Sequence, residues 1–377
     1  MGLGMAGITK RVTRLSDGRE LIYFDDADTA LPPGRAADTR PPAPRPALPE
    51  LRQDPLTGEW ISVAAARQDR AFLPPADLDP LAPSSPGNPT EIPDRYDVAV
   101  FENKSPSFGP GLPDADAADQ AGAGGAAVDD TIGLGRTRPG YGRCEVVCFG
   151  PQHAGSWADF SLSRARTVVE AWADRTAALS RLPGVRQVYV FENRGQQIGV
   201  TLHHPHGQIY AYPFVTPRTR QLLASVARYG PDLMGDILAF EAKSERVLVA
   251  GEHFTVFVPF AARWPVEVHM LAHRPVPDLA AASDAERDEI ALLYRRVLRA
   301  LDRLYDTPTP YIASWHQAPV AAGRPGVRLM LQVTSPRRAE SKLKYLAGSE
   351  SGMGAFIGDI VPETAAARLR EALDGLD

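Results

Sequence analysis

Residues 203–214 read HHPHGQIYAYPF, and three of the chain's eight histidines fall within four positions there. A neutral imidazole is a competent nucleophile near pH 7 and can carry a phosphoryl-type group covalently. A second imidazole two positions earlier can bind a metal or orient the first. Read as a strand, residues 202–214 alternate between faces, which puts His204, His206 and Gln208 on one face and His203 on the other. Gly207 lies between them without a side chain, so a ligand phosphate can approach the backbone closely. Pro205 has no N–H to give to a ladder, so an edge or a bulge is expected beside it. The pattern H-P-H-G-Q before an apolar run reads as a reactive segment rather than as polar residues beside a core strand.

Such a segment needs a scaffold, and the chain is long enough to supply one. Its 377 residues favour two domains or one large duplicated one. The hydrophobic share of 44% and charged share of 23% are ordinary for a soluble globular protein. A net charge of −5 gives no electrostatic footprint for nucleic acid or an acidic membrane. Any anionic ligand must therefore be held by local Arg, Lys or His. The two cysteines, Cys144 and Cys148 in CEVVC, make neither a disulfide framework nor a CxxC. They read as buried strand residues of a reduced, cytoplasmic protein. No apolar run is long enough to span a membrane, and MGLGMAGITKRVTRLSDGRELIYF lacks a signal-type hydrophobic core.

Two stretches repeat one design. CEVVCFGPQHAGSWADFSLSRARTVVEAWADRTAAL, QVYVFENRG and HHPHGQIYAYPF form the first; PVEVHMLAHRPVPDLAAASDAERDEIALLYRRVLRALDRL, PYIASWHQAP and VRLMLQVTSP form the second. Each reads strand, loop with a histidine, capped helix, strand, loop, strand. Ser163 and Ser283 are the expected helix starts, and Glu286 completes a capping box with Ser283. His153 and His273 each lie ten residues before those serines, which supports an internal duplication. Short β-branched and aromatic strands predict an α+β fold with mainly antiparallel sheet and flanking helices. The proline-dense residues 30–48 predict a loose, extended arm, and the Gly-, Ala-, Asp- and Pro-rich residues 109–140 a flexible loop.

HPHGQIYAYPF resembles the active-site segment of the galactose-1-phosphate uridylyltransferases, a branch of the histidine-triad superfamily. DPLTGEWI (54–61), VFEN (100–103), VFENRG (190–195), WHQAP (315–319) and KYLAGSE (344–350) extend the resemblance from about Leu51 to the C-terminal helix. It implies duplicated histidine-triad-like domains: an N-terminal segment, 1–48, partly flexible; a domain over 49–220 with the nucleophile; and a second over 221–377. It implies that His206 attacks the α-phosphorus of UDP-glucose, leaving a uridylyl-histidine that galactose 1-phosphate converts to UDP-galactose, a step of Leloir galactose metabolism. Related histidine-triad hydrolases carry a histidine where this chain has Gln208. An amide hydrogen-bonds without titrating, so it holds phosphoryl oxygens without helping water attack.

The resemblance places Arg67 and Arg70 near the phosphates, where guanidinium geometry suits such oxygens. It gives Asn103 a uridine- or ribose-side contact, and Asn193 and Thr201 hydrogen bonds in the phosphate region. Gly199 would leave room for the substrate, and Glu192 reads as structural. Lys344, Tyr345 and Glu350 would reach into a partner subunit's site, which implies a homodimer. Trp315 and His316 read as packing in the second copy. No organic cofactor is implied.

The family pattern breaks at its metals. Many relatives hold a structural zinc with a CxxC pair and two histidines matching His153 and His204. Ala82 and Ser85 occupy the thiolate positions, so weak or no zinc is expected, with Asp79 a candidate oxygen ligand. A second metal site of some relatives matches His316 but falls at Met330 and Gln332 for two further histidines. These losses, and the unread base and acceptor contacts, leave two other functions open. One is a phosphorylase that moves the nucleotidyl group to phosphate or another acceptor; the other is a nucleotide-sugar-binding protein without turnover.

Overall fold

The structure is a computed structural model that describes residues 7–68, 72–109, 126–127, 133–305, 307–321 and 323–376. Arg70 and most of the 109–140 loop lie outside the described residues. In chain order the first strands are β1 (Thr9–Arg14), β2 (Glu20–Asp25), β3 (Glu50–Gln53), β4 (Trp60–Val63), β5 (Val98–Glu102), β6 (Ala126–Ala127), β7 (Arg136–Pro139) and β8 (Arg143–Cys148). Then come β9 (Gln187–Arg194), β10 (His206–Tyr212), β11 (Val247–Ala250), β12 (Phe254–Phe257), β13 (Val266–Ala272), β14 (Tyr311–His316), β15 (Met330–Ser335), β16 (Arg337–Ala339) and β17 (Lys342–Leu343). The described α-helices are α1 (Leu162–Leu179), α2 (Pro217–Tyr229), α3 (Leu233–Glu241), α4 (Asp284–Arg303) and α5 (Pro362–Leu373).

Eleven strands make one antiparallel sheet in the order β1-β2-β5-β8-β10-β9-β14-β15-β13-β12-β11. The duplication is visible in that order. Outward from the β9–β14 pair, β10, β8 and β5 on one side answer β15, β13 and β12 on the other. The register agrees: Phe191 faces Ser314 across the junction, and their outer neighbours are Gln208 and Gln332. By the same pairing, Asn193 answers His316, and His206 answers Met330. The two halves therefore share one sheet at residues 187–194 and 311–316. At the position answering His206 the second half thus carries a thioether in place of an imidazole.

Alternation along the strands divides the sheet. Val147, Val188, Val190, Ile209, Ala211, Ala313, Leu331 and Val333 face α1 and α4 and form the main core with them. Helix α1 buries Ala165, Val168, Val169, Trp172, Thr176 and Leu179, a stripe at helical spacing. Its first turn is capped by Ser161, whose Oγ accepts the Arg164 N–H at 3.1 Å. Ser163, the expected cap, lies inside the helix and donates instead to Asp28 at 2.8 Å. A two-residue shift is open to the sequence because both serines fit an N-cap and only the fold decides which turns inward. At α4, Ser283 and Glu286 form the expected capping box.

Residues 9–25 of the N-terminal segment form a hairpin that joins the sheet through β5. Residues 30–48 have neither helix nor strand and run extended over the surface. Ionic groups hold that arm in place: Arg45 reaches Glu102 at 2.6 Å, Arg35 pairs with Asp25, and the Ser16 N–H donates to Asp38 at 2.9 Å. No described helix is long and apolar enough to cross a membrane.

Candidate active site

His206 is the first residue of β10 and sits where β9 ends and the 195–205 connection returns to the sheet. It lines a cavity of about 780 Å³ together with His153, His203, His204, Asn193 and Arg194, among others. Its Nδ1 lies 2.7 Å from the carbonyl oxygen of His204, an acceptor only, so Nδ1 carries the proton and donates. The lone pair of the ring is then on Nε2. Burial lowers the pKa of His206, with the His204 carbonyl acting the other way, so the ring is held neutral. A half-buried, neutral imidazole with a fixed tautomer has the form that nucleophilic attack requires.

Gln208 lies on the same strand face, about 7 Å further along by strand geometry. Both are half-buried, and the Tyr210 hydroxyl donates to Gln208 Oε1 at 3.3 Å. Gly207 between them faces the opposite side. A Cβ there would lie 2.8 Å from Phe149 Cζ and 3.0 Å from the Phe191 carbonyl. Packing beneath the strand, rather than room for a phosphate, requires the missing side chain.

His204 is not on the strand. It is buried, with Nδ1 2.7 Å from Asp79 Oδ2 and Nε2 2.7 Å from the Gly150 carbonyl and 3.0 Å from the Tyr96 hydroxyl. His153 Nδ1 lies 2.9 Å from the same Asp79 oxygen. Burial opposes charge on Asp79. The hydrogen bonds from His204, the Leu81 N–H and His153 outweigh it and hold the carboxyl down at about 2. Tyr96 was missed by sequence reasoning, and no spacing points to it, since 108 residues separate it from His204.

These residues do not fit the zinc that the resemblance implies. Both Nδ1 atoms are turned onto one carboxylate oxygen as donors, whereas a metal needs their lone pairs. Ala82 offers no side-chain donor, and Ser85 is a poor ligand within a tight turn closed by its bonds to Asn88. The second-half site departs as well. Gln332 donates to Glu267 at 2.6 Å and lies 3.1 Å from His316 Nε2, and His269 lies 3.0 Å from Glu267. Burial, then the nearby Arg218 charge, pushes His316 down to about 3. Among the described residues, no three or more His, Cys, Asp or Glu side chains are arranged to hold a metal ion.

The remaining candidates divide into three places. Asn193 lines the His206 cavity, beside Arg194, which is paired with Asp302 at 2.8 Å. Glu192 is buried beneath it and accepts from Tyr294 at 2.6 Å and Tyr311 at 2.7 Å, as a structural role requires. Gly199 closes the 196–198 turn with φ +83, and a Cβ there would meet nothing. Its backbone conformation, not space, calls for glycine. The Thr201 carbonyl accepts the Leu73 N–H at 2.8 Å, which ties the 195–205 connection to the arginine segment. Arg67 donates to the Ser105 carbonyl at 3.1 Å, and Asn103 Oδ1 accepts the Ser105 N–H at 2.9 Å, so these two meet on one loop. Lys344 and Tyr345 line a separate pocket of about 190 Å³, and Gln197 contributes to both it and the larger cavity. Lys344 is buried and held by its own chain, through the carbonyls of Arg263 and Ile357, with Glu350 at 3.5 Å. Tyr345 is 71% exposed.

Comparison with known proteins adds an independent finding. A family model described as galactose-1-phosphate uridyl transferase, N-terminal domain, matches residues 42–216, and its C-terminal counterpart matches residues 221–376. The galactose-1-phosphate uridylyltransferase of Streptomyces lividans is 42% identical over 97% of this chain and 98% of its own. That of Thermotoga maritima is 34% identical over 85% of this chain and 98% of its own. A solved structure described as a uridylyltransferase superposes with a TM-score of 0.73 at 31% identity, covering 86% of this chain and 98% of that one.

Proposed function

The chain belongs to the galactose-1-phosphate uridylyltransferase family, and from that premise we propose that it exchanges UMP between UDP-glucose and galactose 1-phosphate through a covalent uridylyl-His206 intermediate. The observation that carries the mechanism is the His206 Nδ1–H bond to the His204 carbonyl at 2.7 Å, which commits the lone pair to Nε2. In the first half-reaction Nε2 attacks the α-phosphorus of UDP-glucose. The bond from that phosphorus to the bridging oxygen breaks, and glucose 1-phosphate leaves with the electron pair. In the second, a phosphate oxygen of galactose 1-phosphate attacks the same phosphorus, the P–N bond breaks, and UDP-galactose leaves. Splitting one transfer into two predicts ping-pong kinetics. The Gln208 amide donates to the α-phosphoryl oxygens without supplying a base for water.

An isotope trap tests the reading. UMP label from UDP-glucose should survive denaturation of the protein, and on the native labelled protein galactose 1-phosphate should release it as UDP-galactose. Release by inorganic phosphate alone would move the chain to the phosphorylase chemistry, and bound nucleotide sugar without glucose 1-phosphate release would make it a binding protein.

Gln208→His supplies a titrating group beside the intermediate. Transferase activity should fall while UDP-glucose hydrolysis rises by about 10-fold or more, within the range of general-base assistance. An unchanged hydrolysis rate would remove the role given to the amide.

Homodimerisation belongs to the same proposal. Tyr345, Met353 and Ile357 are 71%, 84% and 59% exposed on one C-terminal segment, an apolar surface suited to burial in an interface. Light scattering should give twice the chain mass, and Tyr345→Ala should raise the KM for UDP-glucose. A fully active monomer would contradict both expectations. Since Lys344 is anchored at home, Tyr345 is the residue of this segment we assign to the partner's site.

A further inference from the structure

We propose that the carboxylate of Asp79, rather than a metal ion, clasps His153 to His204 and, through His204, positions the nucleophile His206. This rests on the transfer reading above for its kinetic arm and on geometry alone for the rest.

Asp79 is buried at the foot of the 79–92 loop and is fixed at every oxygen. Oδ1 accepts the Leu81 N–H at 2.9 Å, and the main-chain oxygen accepts the Asn88 side-chain amide at 2.9 Å. Oδ2 faces two imidazole nitrogens, His204 Nδ1 at 2.7 Å and His153 Nδ1 at 2.9 Å. Those histidines come from different parts of the fold, the loop after β8 and the connection before β10. One anionic oxygen thus joins three segments that are remote in sequence.

From this clasp a short path leads to the reacting group. The opposite edge of the His204 ring rests against the Gly150 carbonyl at 2.7 Å, with the Tyr96 hydroxyl at 3.0 Å. Tyr96 bridges onward to the Leu81 carbonyl at 2.7 Å, which returns to the Asp79 loop. With its ring held on both edges, His204 has a defined backbone position, and its carbonyl is the acceptor for His206 Nδ1–H. The Phe149 N–H to the Pro205 carbonyl, at 3.2 Å, holds the residue between them. A carboxylate can perform this work because the two imidazoles meet it as hydrogen-bond donors. A cation bound here would need both nitrogens reversed to lone-pair donors and, even with Asp79 as an oxygen ligand, a fourth ligand, where the chain offers Ala82 and Ser85. Asp79 is therefore a positioning residue, acting through His204 without touching the substrate.

The test has two arms on the full-length enzyme. Protein purified without chelator should hold fewer than about 0.1 zinc per chain, and prolonged chelation should leave its rate and melting temperature unchanged. Stoichiometric zinc whose removal abolishes activity would overturn the proposal. In the second arm, Asp79→Asn should slow single-turnover formation of the uridylyl adduct by about 10- to 100-fold, with equilibrium UDP-glucose binding unchanged, as when partners behind a ligand are removed. An Asp79→Asn enzyme that melts lower but forms adduct at the wild-type rate would show a structural carboxylate only and overturn the positioning role. Should that variant not fold, nitrogen NMR of the wild-type imidazoles carries the test: His153 and His204 should keep their Nδ1 protons in excess zinc, and their loss would overturn the clasp. Absence of any adduct in the wild type would defeat the transfer reading instead.

Discussion

His206→Asn should leave a folded protein that forms no uridylyl adduct and loses on the order of 10⁴-fold or more in kcat/KM. The folded state is expected to tolerate the change. The His206 ring is half-buried and makes a single hydrogen bond with its neighbour's carbonyl, which the asparagine amide can also reach. The loss to stability should therefore be about 1 kcal/mol. The chemistry has no such substitute, because the lone pair of an amide nitrogen is delocalised into its carbonyl and does not attack phosphorus. Intact-mass analysis of enzyme quenched and held at alkaline pH, where the P–N bond survives, should show the UMP increment on the wild type and none on the variant.

The control that matters is His203, since it lines the same cavity. It is exposed, and it lies three residues before His206, outside β10. His203→Asn should keep adduct formation. If His206→Asn retained the adduct and His203→Asn lost it, the nucleophile would have been misassigned by three residues.

The largest stability effect is expected at Glu145→Ala, at about 3–5 kcal/mol. Glu145 on β8 is 1% exposed, and its two oxygens each lie 2.8 Å from the Arg175 guanidinium of α1, in a bidentate pair. Arg143 lies near one of those oxygens at 3.4 Å, and Asp174 is 3.6 Å from Arg175. Glu145 also faces Ile209 in β10, so this pair fixes the helix on the strand that carries His206 and Gln208. Alanine would leave the buried Arg175 with only the half-solvated Asp174. Equilibrium urea unfolding should show a lower midpoint, and the double variant with Arg175→Met should recover part of the loss, because no charge is then stranded. A change below about 1 kcal/mol for Glu145→Ala would show that water reaches the pair and replaces the carboxylate.

Some of this was legible in the chain because it is local. The H-P-H-G-Q segment names its own chemistry by residue type, and strand alternation correctly places His206 and Gln208 on one face. The Ser283–Glu286 cap is a four-residue pattern, and the sheet confirms the duplicated order of strands, loops and helices. Local patterns also misled where two readings fit equally. Gly207 reads as an opening toward a ligand until Phe149, 58 residues earlier in the chain, is seen beneath it. The helix cap reads as Ser163 until the packing of α1 turns Ser161 to its end.

What only the tertiary structure decided are the long-range polar contacts. Asp79 meets His204 across 125 residues and His153 across 74, and Tyr96 reaches His204 across 108. No periodicity or spacing encodes such meetings. They follow from which loops the eleven-stranded sheet brings to one end, and burial then makes each hydrogen bond obligatory. The amino-acid sequence by itself carried the H-P-H-G-Q segment from which the nucleophile is proposed, the amide beside it, and Ala82 and Ser85 where the resemblance implies thiolates. The assembled sheet decided what stands in for those thiolates, because a buried carboxylate acquires its partners from the fold that excludes water around it.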